Sequence, residues 1–299
     1  MQLGITVPFI DIGGDPATVR DFGQAAEGLG YHHLGAPDHV LGANIENRPD
    51  WGQRNTSKDL FHDPFVMFGF LAACTKTIGF STQVLILAQR QTALVAKQAA
   101  CLDVLSGGRF RLGIGVGWNP VEFIGLNEDF KNRGKRSEEQ VAVMKALWAE
   151  PHVRFAGQWH TIDDAGINPL PAKRTVPIWF GGHEDVTLRR CAKWGDGWIM
   201  LAHEQGAKAD AEFAKLKQYT KEAGRDPASM GLEVWVSTAD GSGPEDWRRA
   251  FESWKRSGVT HVTLNNVYGR GPHKRIAGRT LADHMTAMRD YHAAVKELI

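Results

Sequence analysis

"FRLGIGVGWNP", residues 110–120, admits two readings, and the choice between them decides the fold. A dinucleotide-binding loop needs Gly-x-Gly-x-x-Gly, the last glycine packing the following helix against the sheet. Here Gly113 and Gly115 are followed by Gly117 and Trp118, so that spacing fails. The other reading is a buried strand over 110–116, with Phe110, Leu112, Ile114 and Val116 as its apolar residues. Gly117 then lets the backbone pass close to whatever lies over Trp118.

A strand-then-helix order repeats on both sides of this stretch. Apolar runs of strand type occupy 3–9, 31–36, 78–87, 110–116, 177–180, 198–201, 231–237 and 259–264. Helical patterns lie between them at 17–29, 65–74, from Val95 through Ala99 and Leu102 to Gly107-Gly108, and at 137–148. They continue through Leu188 and Cys191, then at 207–223 and 244–255, ending in a stripe of Leu281, Met285, Met288, His292 and Val295. Ser137 and Gln140 have capping-box spacing at the start of the fourth helix. Eight β-then-α units predict an α/β fold of the (β/α)8 TIM-barrel type, with a small hairpin insertion around 150–176. A doubly wound open sheet would not need eight units and would more often lead with the dinucleotide loop. With no linker, repeat or low-complexity tract, 1–299 is expected to form one domain.

The composition, 42% hydrophobic with a formal charge of +1, is that of an ordinary soluble protein and shows no bias toward a polyanion. Neither a basic stripe nor a zinc-ligand pattern is present, so a nucleic-acid partner is not expected. Cys74, Cys101 and Cys191 are odd in number and sit in apolar helical contexts, which points to buried thiols in a reducing compartment. No basic leader and no apolar run of membrane-spanning length is evident; a cytoplasmic protein is expected.

A barrel of this kind carries its site at the C-terminal ends of the strands. Those ends offer Pro8 and Phe9, then Asp38 and His39, then Gln83, Val84 and Leu85, then Gly117, Trp118 and Asn119, then Gly181, Gly182 and His183. Asp38-His39 reads either as a catalytic pair able to exchange protons near neutral pH or as a capping Asp beside a polar loop His. Gly181-Gly182 reads either as an anion cradle at a helix N-terminus or as a plain strand-to-helix turn. His32 and His33 read as packing or surface residues. Trp118, Trp159, Trp179, Trp194 and Trp198 could wall a flat ring, with core packing the plainer reading for most of them. No metal site is expected, because a metal-dependent barrel hydrolase would usually show His-x-His on its first strand, and "GITVPF" has none.

Four stretches carry a family resemblance: "LVAKQAACLDVLSGGRFRLGIGVGWNPVEF" from Leu94, "RGKRSEEQVAVMKALW" from Arg133, "FAGQWHTI" from Phe155 and "PIWFGGHEDVTLRRCAKWGDGWI" from Pro177. In this order they resemble the luciferase-like monooxygenase superfamily, in particular its coenzyme F-420-dependent oxidoreductases. The C-terminal third matches only in its βα rhythm. The resemblance implies a deazaflavin or flavin ring over the strand ends, with Asp38 and His39 beside it. It also implies a non-prolyl cis peptide at Gln83-Val84 backing the ring. The loop 117–119 and the turn 181–183 would hold the cofactor's chain and phosphate, with Arg189 and Arg190 either helping or forming surface ion pairs. Ala88, Arg90 and Thr92 depart from relatives that carry proline on both sides of this arginine, and Ala36-Pro37 is less polar than expected.

The implied activity is hydride transfer between reduced coenzyme F-420, or alternatively FMN, and a small organic substrate, with His39 exchanging the proton. Alternatives are a two-component monooxygenase that inserts oxygen using reduced FMN, fed by a separate reductase, and a non-catalytic flavin-binding protein. A homodimer through the early barrel helices is implied as well. The loops 41–63, 119–133 and 268–279 would shape the substrate; among them Arg270, Lys274 and Arg275 could attract an acidic group or be merely solvated.

Overall fold

Polar caps and glycines set the limits of the helices. Asp15 accepts from Thr18 N at 2.9 Å ahead of Pro16, and Gly30, at φ +88°, closes the same helix in the left-handed region. Asp63 and Pro64 repeat the start, and Gly107, at φ +69°, repeats the stop. The computed structural model describes every residue except Gln53, Ala202 and Arg270.

In chain order the strands are β1 (Gln2–Thr6), β2 (His33–Ala36), β3 (Gly79–Thr82), β4 (Leu85–Ile86), β5 (Phe110–Gly115), β6 (Val153–Ala156), β7 (Thr161–Ala165), β8 (Ile178–Gly181), β9 (Gly197–Ile199), β10 (Gly231–Val236) and β11 (His261–Leu264). The helices are α1 (Phe9–Ile12), α2 (Pro16–Leu29), α3 (Pro64–Cys74), α4 (Thr92–Ser106), α5 (Pro120–Gly125), α6 (Arg133–Ala149), α7 (Asp185–Trp194), α8 (Ala207–Glu222), α9 (Pro244–Arg256) and α10 (Leu281–Val295). β1, β2, β3, β5, β8, β9, β10 and β11 pair in parallel, and β11 returns to β1, which closes the predicted (β/α)8 TIM barrel. β4 continues β3 after a two-residue break and pairs with β5. The 110–116 stretch is thus a barrel strand, β5, held between β3 and β8. The hairpin β6–β7 is the insertion, pinned by His160, which meets Glu139 of α6 at 2.7 Å and Thr92 of α4 at 2.6 Å. Among the described residues no helix is long and apolar enough to cross a membrane.

Three expectations need correction. α6 begins a turn earlier than Ser137, because Arg136 reaches Ala88 O and Glu128 and secures the first turn. Ser137 Oγ then donates to Gly134 O, and Gln140 Nε2 donates to Leu87 O and Arg90 O, so neither forms a capping box. On α10 the buried stripe is His284, Met288, Tyr291 and Val295, rotated from the predicted one because His284 turns inward to Asp11. Of the thiols, only Cys191 is fully buried; Cys74 and Cys101 are half-buried.

The barrel lumen is polar at mid-height. Glu233 of β10, 0% exposed, accepts from Arg111 Nη2 at 2.6 Å and from Thr263 Oγ1 at 2.6 Å. His33 Nε2 lies 3.5 Å from the same carboxylate and 3.0 Å from Thr263 Oγ1, so His33 is a lumen residue and not a surface one. Arg111 also lies flat over Trp179 at 4.0 Å.

Candidate active site

The floor of the site forms where β3, β5 and β8 end. The Gln83–Val84 peptide is cis, as the resemblance implies. The Gln83 side chain turns down into the lumen, donating to the Glu233 carboxylate and to Thr263 Oγ1 at 3.1 Å while accepting from Thr6 Oγ1 at 3.3 Å. Gln83 therefore anchors this turn from below and does not offer its amide to a bound molecule. Val84 seats over two glycines: a Cβ on Gly115 would lie 2.5 Å from Val84 Cγ2, and one on Gly181 would lie 2.7 Å from Val84 Cγ1. No side chain can rise from either glycine, so this part of the floor is backbone and one valine. A surface of that kind suits a flat ring.

Gly117 is required twice over. Its φ is +79°, and a Cβ there would lie 2.6 Å from Ile86 Cγ2. The tight turn delivers Trp118 to the rim and Asn119 to the start of α5. Asn119 is buried, its side chain capping Val121 N at 2.9 Å and donating to Leu41 O at 3.3 Å, so its side chain serves as the cap of α5. Leu85 is likewise 0% exposed and belongs to the core beneath the floor.

Asp38 is sealed rather than poised for catalysis. Its carboxylate is 1% exposed and accepts from Arg90 Nη2 at 2.6 Å, Arg90 Nε at 3.1 Å and Ile86 N at 3.0 Å. That bidentate pair, extended by Asp63 at 2.9 Å, shapes the loop after β4, where proline is absent.

His39 has a partner that sequence reasoning missed. Its Nδ1 lies 2.9 Å from Glu122 Oε2, and the other oxygen of Glu122 accepts from Val40 N at 2.7 Å and Leu41 N at 3.3 Å. Burial works against the charge of Glu122, but the His39 hydrogen bond and the backbone amides outweigh it and hold the carboxyl below its usual range. An ionised Glu122 can only accept, so Nδ1 of His39 carries the hydrogen and Nε2 is left to exchange a proton with a bound molecule. Asn55 Nδ2, 2.9 Å from the same ring nitrogen, then donates to Leu41 O at 3.2 Å. Asn55 sits at φ 48°, a left-handed position that Asn tolerates. Glu122 is three residues after the Asn119 cap, the spacing of an N3 acid; that spacing was the available signal, though here the acid reaches across to another loop.

Aromatic rings enclose His39. Phe61 meets it edge-on at 4.8 Å and Trp118 at 6.0 Å, while Trp51 lies 5.6 Å from Trp118 and Arg54 lies over the Trp118 ring at 4.5 Å. Trp118 is therefore a wall of the mouth, 37% exposed. Trp179 and Trp198 are core residues.

At the end of β8, Gly182 holds φ +125° and its carbonyl accepts from Trp198 Nε1 at 2.8 Å. His183 lies 6.0 Å, ring to ring, from His203, and α7 starts two residues later. Arg189 pairs with Asp185 at 3.0 Å and Arg190 with Glu138 at 2.8 Å, so both form ion pairs. Arg275 is engaged by Asp11 at 2.8 Å and is not free to hold a substrate anion; Arg270 lies outside the described residues.

The profile of the luciferase-like monooxygenase family matches residues 2–297. An uncharacterized protein of Mycobacterium tuberculosis is 32% identical over 246 residues, 81% of this chain and 82% of its own length. The F420-dependent hydroxymycolic acid dehydrogenase of the same organism is 29% identical over 274 residues, 83% of this chain and 71% of its own length. Among solved structures, the monooxygenase RslO1 from Streptomyces bottropensis superposes with a TM-score of 0.77 at 17% identity, over 100% of this chain and 99% of that one; this likeness bears on the fold.

Proposed function

The chain belongs to the luciferase-like monooxygenase family, and on that premise we propose that it is a coenzyme F-420-dependent oxidoreductase acting on a small organic substrate. The observation that carries the reading is the His39–Glu122 pair beside the glycine-and-valine floor. The 83% coverage by an F420-dependent dehydrogenase supports the choice of cofactor. When bound, the deazaflavin supplies a two-electron hydride couple. The floor of Val84, Gly115 and Gly181 would support the ring, and the turns at Gly117 and at Gly181 to His183 would hold its chain. Phe61, Trp51 and Trp118 limit water around His39. His39 Nε2 moves the substrate's proton, and Glu122 keeps the imidazole oriented. A single-domain, cytoplasmic enzyme that draws its reduced cofactor from a separate reductase completes this reading.

Titration of the purified apoprotein with F-420 and with FMN, followed by absorbance and fluorescence, tests it. F-420 is expected to bind tighter by about tenfold or more. Preference for reduced FMN would replace this reading with a two-component monooxygenase. Bound cofactor without substrate-dependent oxidation would reduce the chain to a binding protein.

The same reading includes a homodimer. α3 carries no charged residue in "PFVMFGFLAAC", and Val66, Phe70, Leu94 and Leu105 are exposed on α3 and α4, an apolar face of the kind a second copy would cover. Val66→Asp combined with Leu105→Asp is expected to yield a folded monomer in light scattering. A wild-type chain that is already monomeric at micromolar concentration would remove the dimer.

A further inference from the structure

A cavity of about 300 Å³ opens at the C-terminal end of β10, bounded by the loops after β9, β10 and β11 and by α9 and α10. In the ring of strands β10 stands opposite β3, so the end of β10 lies across the barrel from the strand that leads into Val84. Its walls are aromatic: Trp235, Trp247, Trp254 and Tyr291 line it. Two of these carry donors with no hydrogen-bond partner among the described residues. Trp235 Nε1 and Tyr291 Oη are both buried and unpaired, and Tyr291 is 1% exposed. Burial raises the Tyr291 phenol further above its usual range, so it remains an O–H donor. A buried donor without an acceptor costs free energy, which makes this pair conspicuous.

The charged groups at the cavity narrow the guest. Asp240 and Glu204 line it, and among the described lining residues there is no Lys or Arg. His273 and His203 also line it, but His273 Nδ1 lies 3.4 Å from Asp240 and His203 Nδ1 3.0 Å from the Glu204 carbonyl, so among the described lining residues an anion would meet two carboxylates and no Lys or Arg. A cation lacking an acceptor would leave Trp235 and Tyr291 unpaired. We propose that this cavity binds an uncharged, planar part of the substrate that carries a hydrogen-bond acceptor, such as an aromatic or heterocyclic carbonyl. That group stacks among the tryptophans while its acceptor takes the hydrogens of Trp235 Nε1 and Tyr291 Oη. The substrate then spans the mouth, with its reacting carbon at the His39 side. Naming the guest as substrate rests on the proposed oxidoreductase function, whereas the cavity's preference does not.

Ligand-observed NMR on the full chain, without cofactor, tests the preference with three probes of one shape: benzamide, benzoate and benzamidine. Benzamide is expected to bind saturably and the two charged probes about tenfold more weakly or worse. Ala250→Phe, which fills the cavity from α9, should abolish benzamide binding. Tyr291→Phe removes an O–H that has no hydrogen-bond partner among the described residues, so it should leave Tm unchanged or higher while weakening benzamide by roughly threefold to tenfold. No saturable binding, preference for benzoate, or binding indifferent to Ala250→Phe would overturn the proposal. Because these readouts need neither cofactor nor turnover, failure of the oxidoreductase reading would leave them standing and be told apart.

Discussion

His39→Ala lowers turnover by about 10²-fold or more while cofactor affinity stays within about tenfold, the range typical of losing a positioned acid or base. The asymmetry follows from where the side chain sits. His39 follows β2, the neighbour of β3, and the floor itself is made of Val84, Gly115 and Gly181, none of which the substitution touches. Glu122→Gln tests the positioning role separately. A glutamine amide can donate to Nδ1 and favour the other tautomer, so kcat is expected to fall by about tenfold or more with KM little changed. The tautomer shift is read directly by the ¹⁵N resonances of the His39 ring, which a merely structural role for Glu122 would leave in place. Glu122→Asp should restore part of the activity if the shorter acid still reaches the ring. Unchanged turnover in His39→Ala would remove His39 from the mechanism.

The barrel was legible in the chain because its evidence is local. Each strand is a short apolar run, and glycines or capping acids bound several helices within a residue or two of where the pattern breaks, as at Gly30 and Gly107. Elements went astray where a distant partner intervened: Asp11 rotates α10 through His284, and Arg136 extends α6 through Glu128. The site was half legible for the same reason. The glycines at 115, 117 and 181 reveal themselves by identity, and the resemblance placed His39 and the cis peptide. The roles of Asp38, Gln83 and Asn119 depend on partners 52, 150 and 78 residues away, which no spacing rule reaches. Glu122 was visible as a helix-start acid, and only the approach of the β2 and β5 loops makes it the partner of His39.

Arg111→Met should destabilise the fold by about 3–5 kcal/mol at neutral pH, because it strips the strongest counter-charge from a buried carboxylate. In the intact lumen Glu233 is 0% exposed, and although burial opposes its charge, Arg111 and His33 hold its carboxyl far below the ordinary range. Its contribution is therefore present above the ordinary carboxylate pKa and lost only as pH falls well beneath it. His33 is pushed down, first by burial and then by Arg111, against the pull of Glu233. His261, driven by burial and Arg111 to about 3, adds no positive charge near neutrality. Remove Arg111 and the sign reverses. The folded lumen now gains by taking up a proton on the Glu233–His33 pair, which titrates as a unit, so its affinity for that proton rises above the unfolded value. The deficit should shrink as pH falls from 8 toward 5, whereas the wild type gains nothing over that window. Denaturant melts at successive pH values measure it. Arg111→Met with Glu233→Gln should recover much of the loss at pH 8, since it removes the stranded charge. The same substitutions reach the floor through Gln83, whose amide donates to Glu233 beneath the cis peptide, so cofactor affinity in the single variant should weaken at high pH and recover in parallel with stability. A deficit below about 1 kcal/mol, or one indifferent to pH, would show that solvent reaches this carboxylate and that the lumen does not brace the site.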